Sequence, residues 1–328
     1  MRHALVHMAT IGVAAAALLA AAQQTFRSGV DLVTVDVAVT DRSRPVRGLT
    51  AQDFSITDNG VRQTILEVSV DEWPLDVTLL ADLSAGGILQ SSVVSGANRV
   101  KGSLRSSDRL RILTVDARIT GDLEFRPASE LPPVTMAPGS HDAVGARSHI
   151  VTYDALVLAL ATPPMQGRRH VVMLFTAGRD TASFSHASTV LEVAKRSSAT
   201  VFTVRSFFDP VPFDAPPAGA TAKRIPPDPL AIPERFLSDL SDLTGGTVQV
   251  VVPMRMVRND TQRQHISATI GLDGIEGMFL RALDDFRSSY VLRYAAEGVA
   301  RAGWHELAVR VVKPGTKYDV RARKGYGG

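Results

Sequence analysis

A chain of 328 residues with 45% hydrophobic and 21% charged side chains can build one large packed domain or two ordinary ones, which excludes an intrinsically disordered protein. The net charge is +3, with both signs mixed along the chain and no long basic run, so the concentrated basic face that nucleic-acid binding requires is missing. There is no cysteine, which removes disulfides, thiolate catalysis, zinc–thiolate centres and lipid attachment through an N-terminal cysteine.

In chain order, Arg2 and His3 precede an apolar stretch from Met8 to Ala22 that stops at Gln23-Gln24-Thr25. At about 15 residues it is shorter than the roughly 20 needed to span a bilayer. Ala20-Ala21-Ala22 has the small-x-small pattern of a signal-peptidase site. Residues 1–22 are therefore expected to be a cleaved signal peptide, with an uncleaved anchor as the alternative, and the chain is expected to be secreted or periplasmic, with no membrane span after cleavage. Val30 to Thr40 alternates strictly, placing Val33, Val35, Val37 and Val39 on one face of a half-buried strand. Further strands are expected around Phe54-Ile56 and through Ile65, Val68 and Val70, with a tight turn at Asp58-Asn59-Gly60.

From Leu75 the pattern changes. Leu75–Ala81 is an apolar run broken only by Asp76 and Thr78, as in a strand buried on both faces of a parallel sheet. Helices are expected at about 91–104, 153–161, 187–197, 234–243 and 275–286. Strands are expected at 110–115, 170–175, 200–204 and 247–252, with an edge strand near 119–125. Loops are expected over 127–147 and 210–233. Strands return at 289–294, 304–312 and 318–323. The middle of the chain alternates strand and helix, which predicts a parallel sheet with helices on both faces; the ends are strands only. The expected organisation is an N-terminal β-segment (26–72), an α/β domain (75–286) and a C-terminal β-segment (288–326) that pairs with the first into a small β-sandwich-like domain.

Asp82-Leu83-Ser84-Ala85-Gly86-Gly87 follows the first central strand, where α/β sheets carry their sites. This arrangement resembles the von Willebrand factor A-type (VWA) domain. Gly167 to Thr176 looks like the VWA strand that ends in Thr-Asp-Gly, Tyr153-Asp154-Ala155-Leu156 like the helix after the Thr loop, and Leu243-Thr244-Gly245-Gly246 like the helix end before the last sheet strand. The flanking pieces Val30-Asp31-Leu32-Val33, Leu49 to Phe54, Tyr290 to Tyr294, Trp304-His305 and Arg321 to Tyr326 are similar to exported VWA-related proteins of Acidobacteria.

The resemblance implies a metal-ion-dependent adhesion site built from an Asp-x-Ser-x-Ser motif, a Thr and an Asp. Here the second serine is Gly86, the Thr position falls on Ile150, and the third-loop Asp is Ala177. Asp82 and Ser84 are the two ligands left of five, too few for an ion that surrenders its waters reluctantly, so the expectation is no cofactor and an empty Mg²⁺ site. Thr152 or Asp180 is the substitute from a shifted position. The surface expected to bind a protein partner is lined by Asp82, Ser84, Gly86, Ile150, Thr152 and Ala177, and the expected function is adhesion or protein binding, not catalysis. The alternatives are an envelope component with no ligand at this face, and an enzyme using Asp82 with a nearby histidine. His305-Glu306 starts a His-Glu-x-x-His motif that fails at Val309, and reads as an exposed pair on a strand. Arg168-Arg169 reads as the cap of a strand start, and His141, His149 and His186 as isolated surface histidines.

Overall fold

The structure is a computed structural model that describes residues 32–70, 72–82, 87–135, 149–163, 165–206, 231–251, 272–315 and 317–328. The chain divides into Met1–Leu32, of which only Leu32 is described, and the unit Val33–Gly328. The signal-peptide stretch, Ser84, Gly86, His141 and most of the proline-rich 210–233 loop lie outside the described residues.

The apolar run from Leu75 forms β6 (Leu75–Asp82), the central strand of a seven-stranded sheet. On one side it pairs in parallel with β7 (Arg109–Val115), and on the other with β10 (Arg169–Thr176), β11 (Thr200–Ser206) and β12 (Thr247–Val251) in succession. Two short strands, β8 (Ile119–Gly121) and β9 (Arg126–Pro127), run antiparallel to β7. The order β12-β11-β10-β6-β7-β8 is that of a doubly wound sheet whose winding reverses between β6 and β10.

Every side chain of β6 and β10 is buried, because helices cover both faces. Leu75, Val77 and Leu79 turn to a core shared with α1 (Gly87–Ser103) and α5 (Leu272–Ser288). Leu80, Val172 and Leu174 turn to a second core with α2 (Thr152–Leu160), α3 (Ala187–Arg196) and α4 (Glu234–Thr244). Gly96 is a requirement of the first core: a Cβ there would stand 2.8 Å from the Phe279 ring.

The ends of the chain supply the antiparallel strands. In one sheet β1 (Leu32–Asp41) lies between β15 (Asp319–Ala322) and β13 (Tyr290–Ala295), with β5 (Ile65–Val70) beyond β13 and β2 (Arg44–Pro45) folded back on β1. In the other, β14 (Trp304–Val311) lies between β16 (Gly325–Gly327) and β3 (Phe54–Asp58), with β4 (Val61–Gln63) outermost. Neither end could close a core alone; together they bury Val35, Val37, Val39, Ile56, Tyr290, Leu292 and Tyr294. Asn59 and Gly60 form the tight turn with φ of 47° and 80°.

Two readings of polar residues need correction. His305 is not exposed: it is 2% exposed, donates from Nδ1 to Asp58 Oδ1 at 2.8 Å, and stacks on Tyr326. Asp58 also accepts 2.8 Å hydrogen bonds from the Tyr294 and Tyr326 hydroxyls. Strand β16, too short for any periodic signal, puts Tyr326 over the histidine. Arg168 and Arg169 are more than caps. Arg168 Nε donates to Asp76 Oδ1 at 2.6 Å, beside a bidentate Arg109–Asp76 pair. Arg169, buried on Phe286, donates to Asp36 on β1 at 2.7 Å and to the Phe286 carbonyl and Ser289 hydroxyl, tying the α/β layer to the antiparallel layer.

Candidate functional site at the strand tips

Because β6 and β10 are parallel neighbours at the winding reversal, their carboxyl ends emerge side by side. Asp82 closes β6 and is 1% exposed. Its Oδ2 accepts the Thr176 hydroxyl at 3.1 Å and the Ala177 N–H at 3.0 Å. Thr176 Oγ1 in turn accepts the Gly178 N–H at 2.9 Å. The carboxylate therefore fastens the start of the loop that follows β10.

That loop, residues 177–186, is braced along its length to the start of α2. The first N–H groups of a helix have no partner within it, and Val151 at the cap position supplies no side-chain bond. The loop supplies the partners. Asp180 Oδ2 accepts the Tyr153 N–H at 2.8 Å, and Ser183 Oγ accepts the Asp154 N–H at 3.1 Å. Ser183 is held by Asp180 through both its N–H and its hydroxyl. In return, Asp154 accepts the N–H groups of Phe184 at 2.9 Å and Ser185 at 2.8 Å. Burial would raise the Asp154 pKa, but bonds from Ser185 and Phe184 outweigh it and hold the carboxyl below its usual range. The Thr152 hydroxyl donates to the Arg179 carbonyl, and Thr181 exchanges bonds with both backbone groups of Ile150.

At the tip of this braced loop stands Phe184, 96% exposed. Sequence reasoning passed over it; the available signal was one aromatic residue inside the polar run Ser183-Phe184-Ser185-His186.

The expected site residues are distributed differently from the expectation. Asp82 and Ala177 are joined directly by a hydrogen bond. Ile150 and Thr152 are 1% and 0% exposed, so their side chains belong to the core beneath the loop, not to a surface. Ala177 is part-exposed. His149 and His186 are exposed. The described residues do not fit a divalent cation. Ile150 offers no ligand, Ala177 contributes an N–H where a carboxylate would stand, and Asp82 Oδ2 already accepts two donors. Thr152 and Asp180 do not replace the missing ligands, since Thr152 donates to Arg179 and Asp180 braces Tyr153 and Ser183. Among the described residues, no group of three or more His, Asp or Glu side chains could hold a metal.

No protein-family model matches the chain, and no curated protein matches it. Solved structures do. A von Willebrand factor type A protein from Catenulispora acidiphila has 10% identity over 86% of this chain and 64% of its own, with a TM-score of 0.40. Proximal thread matrix protein 1 from the mussel byssus has 8% identity over 67% of this chain, with a TM-score of 0.40. This chain spans about half, 49%, of that mussel chain. Manganese-loaded TRAP protein from Plasmodium vivax has 13% identity over 84% of this chain and 100% of its own, with a TM-score of 0.34. The chain is a mixed α/β protein whose parallel strands are covered by helices on both faces, as expected from the sequence, and VWA-domain proteins are among the solved structures it is similar to.

Proposed function

We propose that this chain is an exported protein-binding module that docks through the strand-tip face of its α/β layer without a divalent cation. The observation that carries the reading is Phe184: 96% exposed, on a loop whose neighbouring N–H groups and side chains are tied to the first turn of α2. An aromatic side chain on a fixed backbone has only two torsions to immobilise on binding and can bury a large apolar area. Asp82 keeps a structural part of its adhesion-site role, holding the loop in place of an ion. Export is read from the Met8–Ala22 stretch, and among the described residues no helix is long and apolar enough to cross a membrane. Among the described residues the Asp58–His305 pair, which by residue type could serve acid–base chemistry, is buried under Tyr294 and Tyr326 and serves the fold.

The test is affinity capture from an envelope fraction of the source cell, in Mg²⁺ and in EDTA, with wild-type protein and Phe184→Ser. The expected result is the same captured protein under both conditions and its loss with the variant. Capture that vanishes in EDTA, or survives Phe184→Ser, contradicts the reading.

A further inference from the structure

We propose that Asn59 is a site of spontaneous backbone modification, where the Gly60 nitrogen displaces the side-chain amide and the succinimide ring so formed reopens to an isoaspartyl linkage. Of Asn59, Asn98 and Asn259, only Asn59 precedes a glycine, the residue whose nitrogen is not crowded by a side chain of its own. Asn59 and Gly60 are both exposed, in the two-residue turn between β3 and β4, with φ of 47° and 80°. These are the signs of a type I′ turn, which keeps the Gly60 nitrogen on the far side from the Asn59 side chain. Rotating the peptide between the two residues gives a type II′ turn. Asn59 then keeps its positive φ, Gly60 accepts either sign, and the nitrogen comes round to the side-chain carbonyl. Among the described residues the Gly60 N–H donates to no backbone carbonyl, so the rotation breaks no such bond.

The fold also prepares the carbonyl. Asn59 Oδ1 accepts the Glu306 N–H at 2.8 Å, while Nδ2, the group that must leave, reaches the Trp304 carbonyl only at 3.5 Å. A backbone donor aimed at Oδ1 stabilises the negative charge that this oxygen takes up when Cγ becomes tetrahedral. In the step itself the bond from Gly60 N to Cγ forms and Gly60 N loses its proton. The Cγ–Nδ2 bond breaks, and Nδ2 takes up a proton and leaves as ammonia. Water then opens the ring at the main-chain carbonyl, leaving a carboxylate there while the chain continues through Cγ; opening at Cγ instead gives aspartate. The isoaspartyl form adds an extra backbone atom to a turn whose fixed length sets Asp58 opposite Val61. It also places a new carboxylate beside buried Asp58, which holds His305, Tyr294 and Tyr326. Modification at this turn therefore loosens the junction of β3, β13, β14 and β16.

Holding the purified chain in mildly alkaline buffer over several weeks tests this, with peptide mapping by mass spectrometry that separates aspartate from isoaspartate. The expected result is isoaspartate at position 59, formed faster as pH rises. Asn98, whose side chain is held by Val94 and Val134, should stay unconverted. Gly60→Ala, whose added Cβ meets nothing within 4 Å, should slow the conversion by at least ~10-fold. Converted chains, separated from the rest by their added charge, should unfold at a midpoint at least ~2 °C lower. Direct hydrolysis of the amide gives aspartate alone, so isoaspartate marks the ring route in the wild-type chain even where Gly60→Ala folds poorly. No conversion at position 59, aspartate alone, equal conversion of Asn98, a rate unchanged in Gly60→Ala, or an unchanged midpoint in converted chains overturns the proposal.

Discussion

At the strand starts of the central sheet, Asp76 takes Arg109 and Arg168, and Arg169 takes Asp36, all largely out of water. At the strand tips, one carboxylate fastens a loop from below and a phenyl ring stands almost wholly in solvent. Buried charges cost more to break than to keep, so the first end reads as structure. The exposed ring adds little to the isolated fold, and under the proposed function it is the part left for a partner.

The contrast can be broken or sharpened by mutation. Arg169→Ala leaves Asp36 without its partner and opens a gap against Phe286, and should lower the unfolding free energy by about 4 kcal/mol in a denaturant titration. A loss below about 1 kcal/mol would mean that the junction between the layers is not held there. The next largest effect is acid sensitivity. Burial, reinforced by the nearby Arg111 charge, pushes the His170 pKa from 6.5 down to about 4, and its Nε2 shares a 2.9 Å hydrogen bond with the Thr78 hydroxyl. Between those values the unfolded chain binds the proton and the folded chain does not. Stability from this group is therefore complete above pH 6.5 and lost as pH falls towards 4, by roughly 3 kcal/mol at 1.36 kcal/mol per pH unit. His170→Leu should flatten that slope; an unchanged slope would assign it to other groups.

Smaller effects belong to the tips. Asp82→Asn keeps an acceptor for Ala177 but loses the charge, and should cost about 1.5 kcal/mol in the same titration. Phe184→Ser should change stability by no more than about 0.5 kcal/mol while removing captured partners. A large stability loss there would make Phe184 part of the fold instead of the docking surface.

The layers were legible because they depend on local pattern. The run Leu75–Ala81 and the alternation of Val33 to Val39 announce one strand buried on both faces and one on a single face. Element ends moved by a few residues, as caps and fraying allow. The polar architecture was not legible, because its partners are far apart in sequence: Asp36 and Arg169 are separated by 133 positions, and Asp58 and His305 by 247. Counting back from Tyr153 located Ile150 at the strand tips, but no spacing rule shows that its side chain turns into the core. Asp82 was found by position alone; its role as a loop fastener needed the coordinates of Ala177.

Cation independence at the strand tips is tested most directly by titrating Mg²⁺ and then Mn²⁺ into the purified chain in a calorimeter, with the thermal midpoint followed in parallel. The expected result is no saturable heat and one midpoint with either ion or EDTA. Saturable binding that disappears in Asp82→Asn would restore the ion to this site and contradict the role given to Asp82.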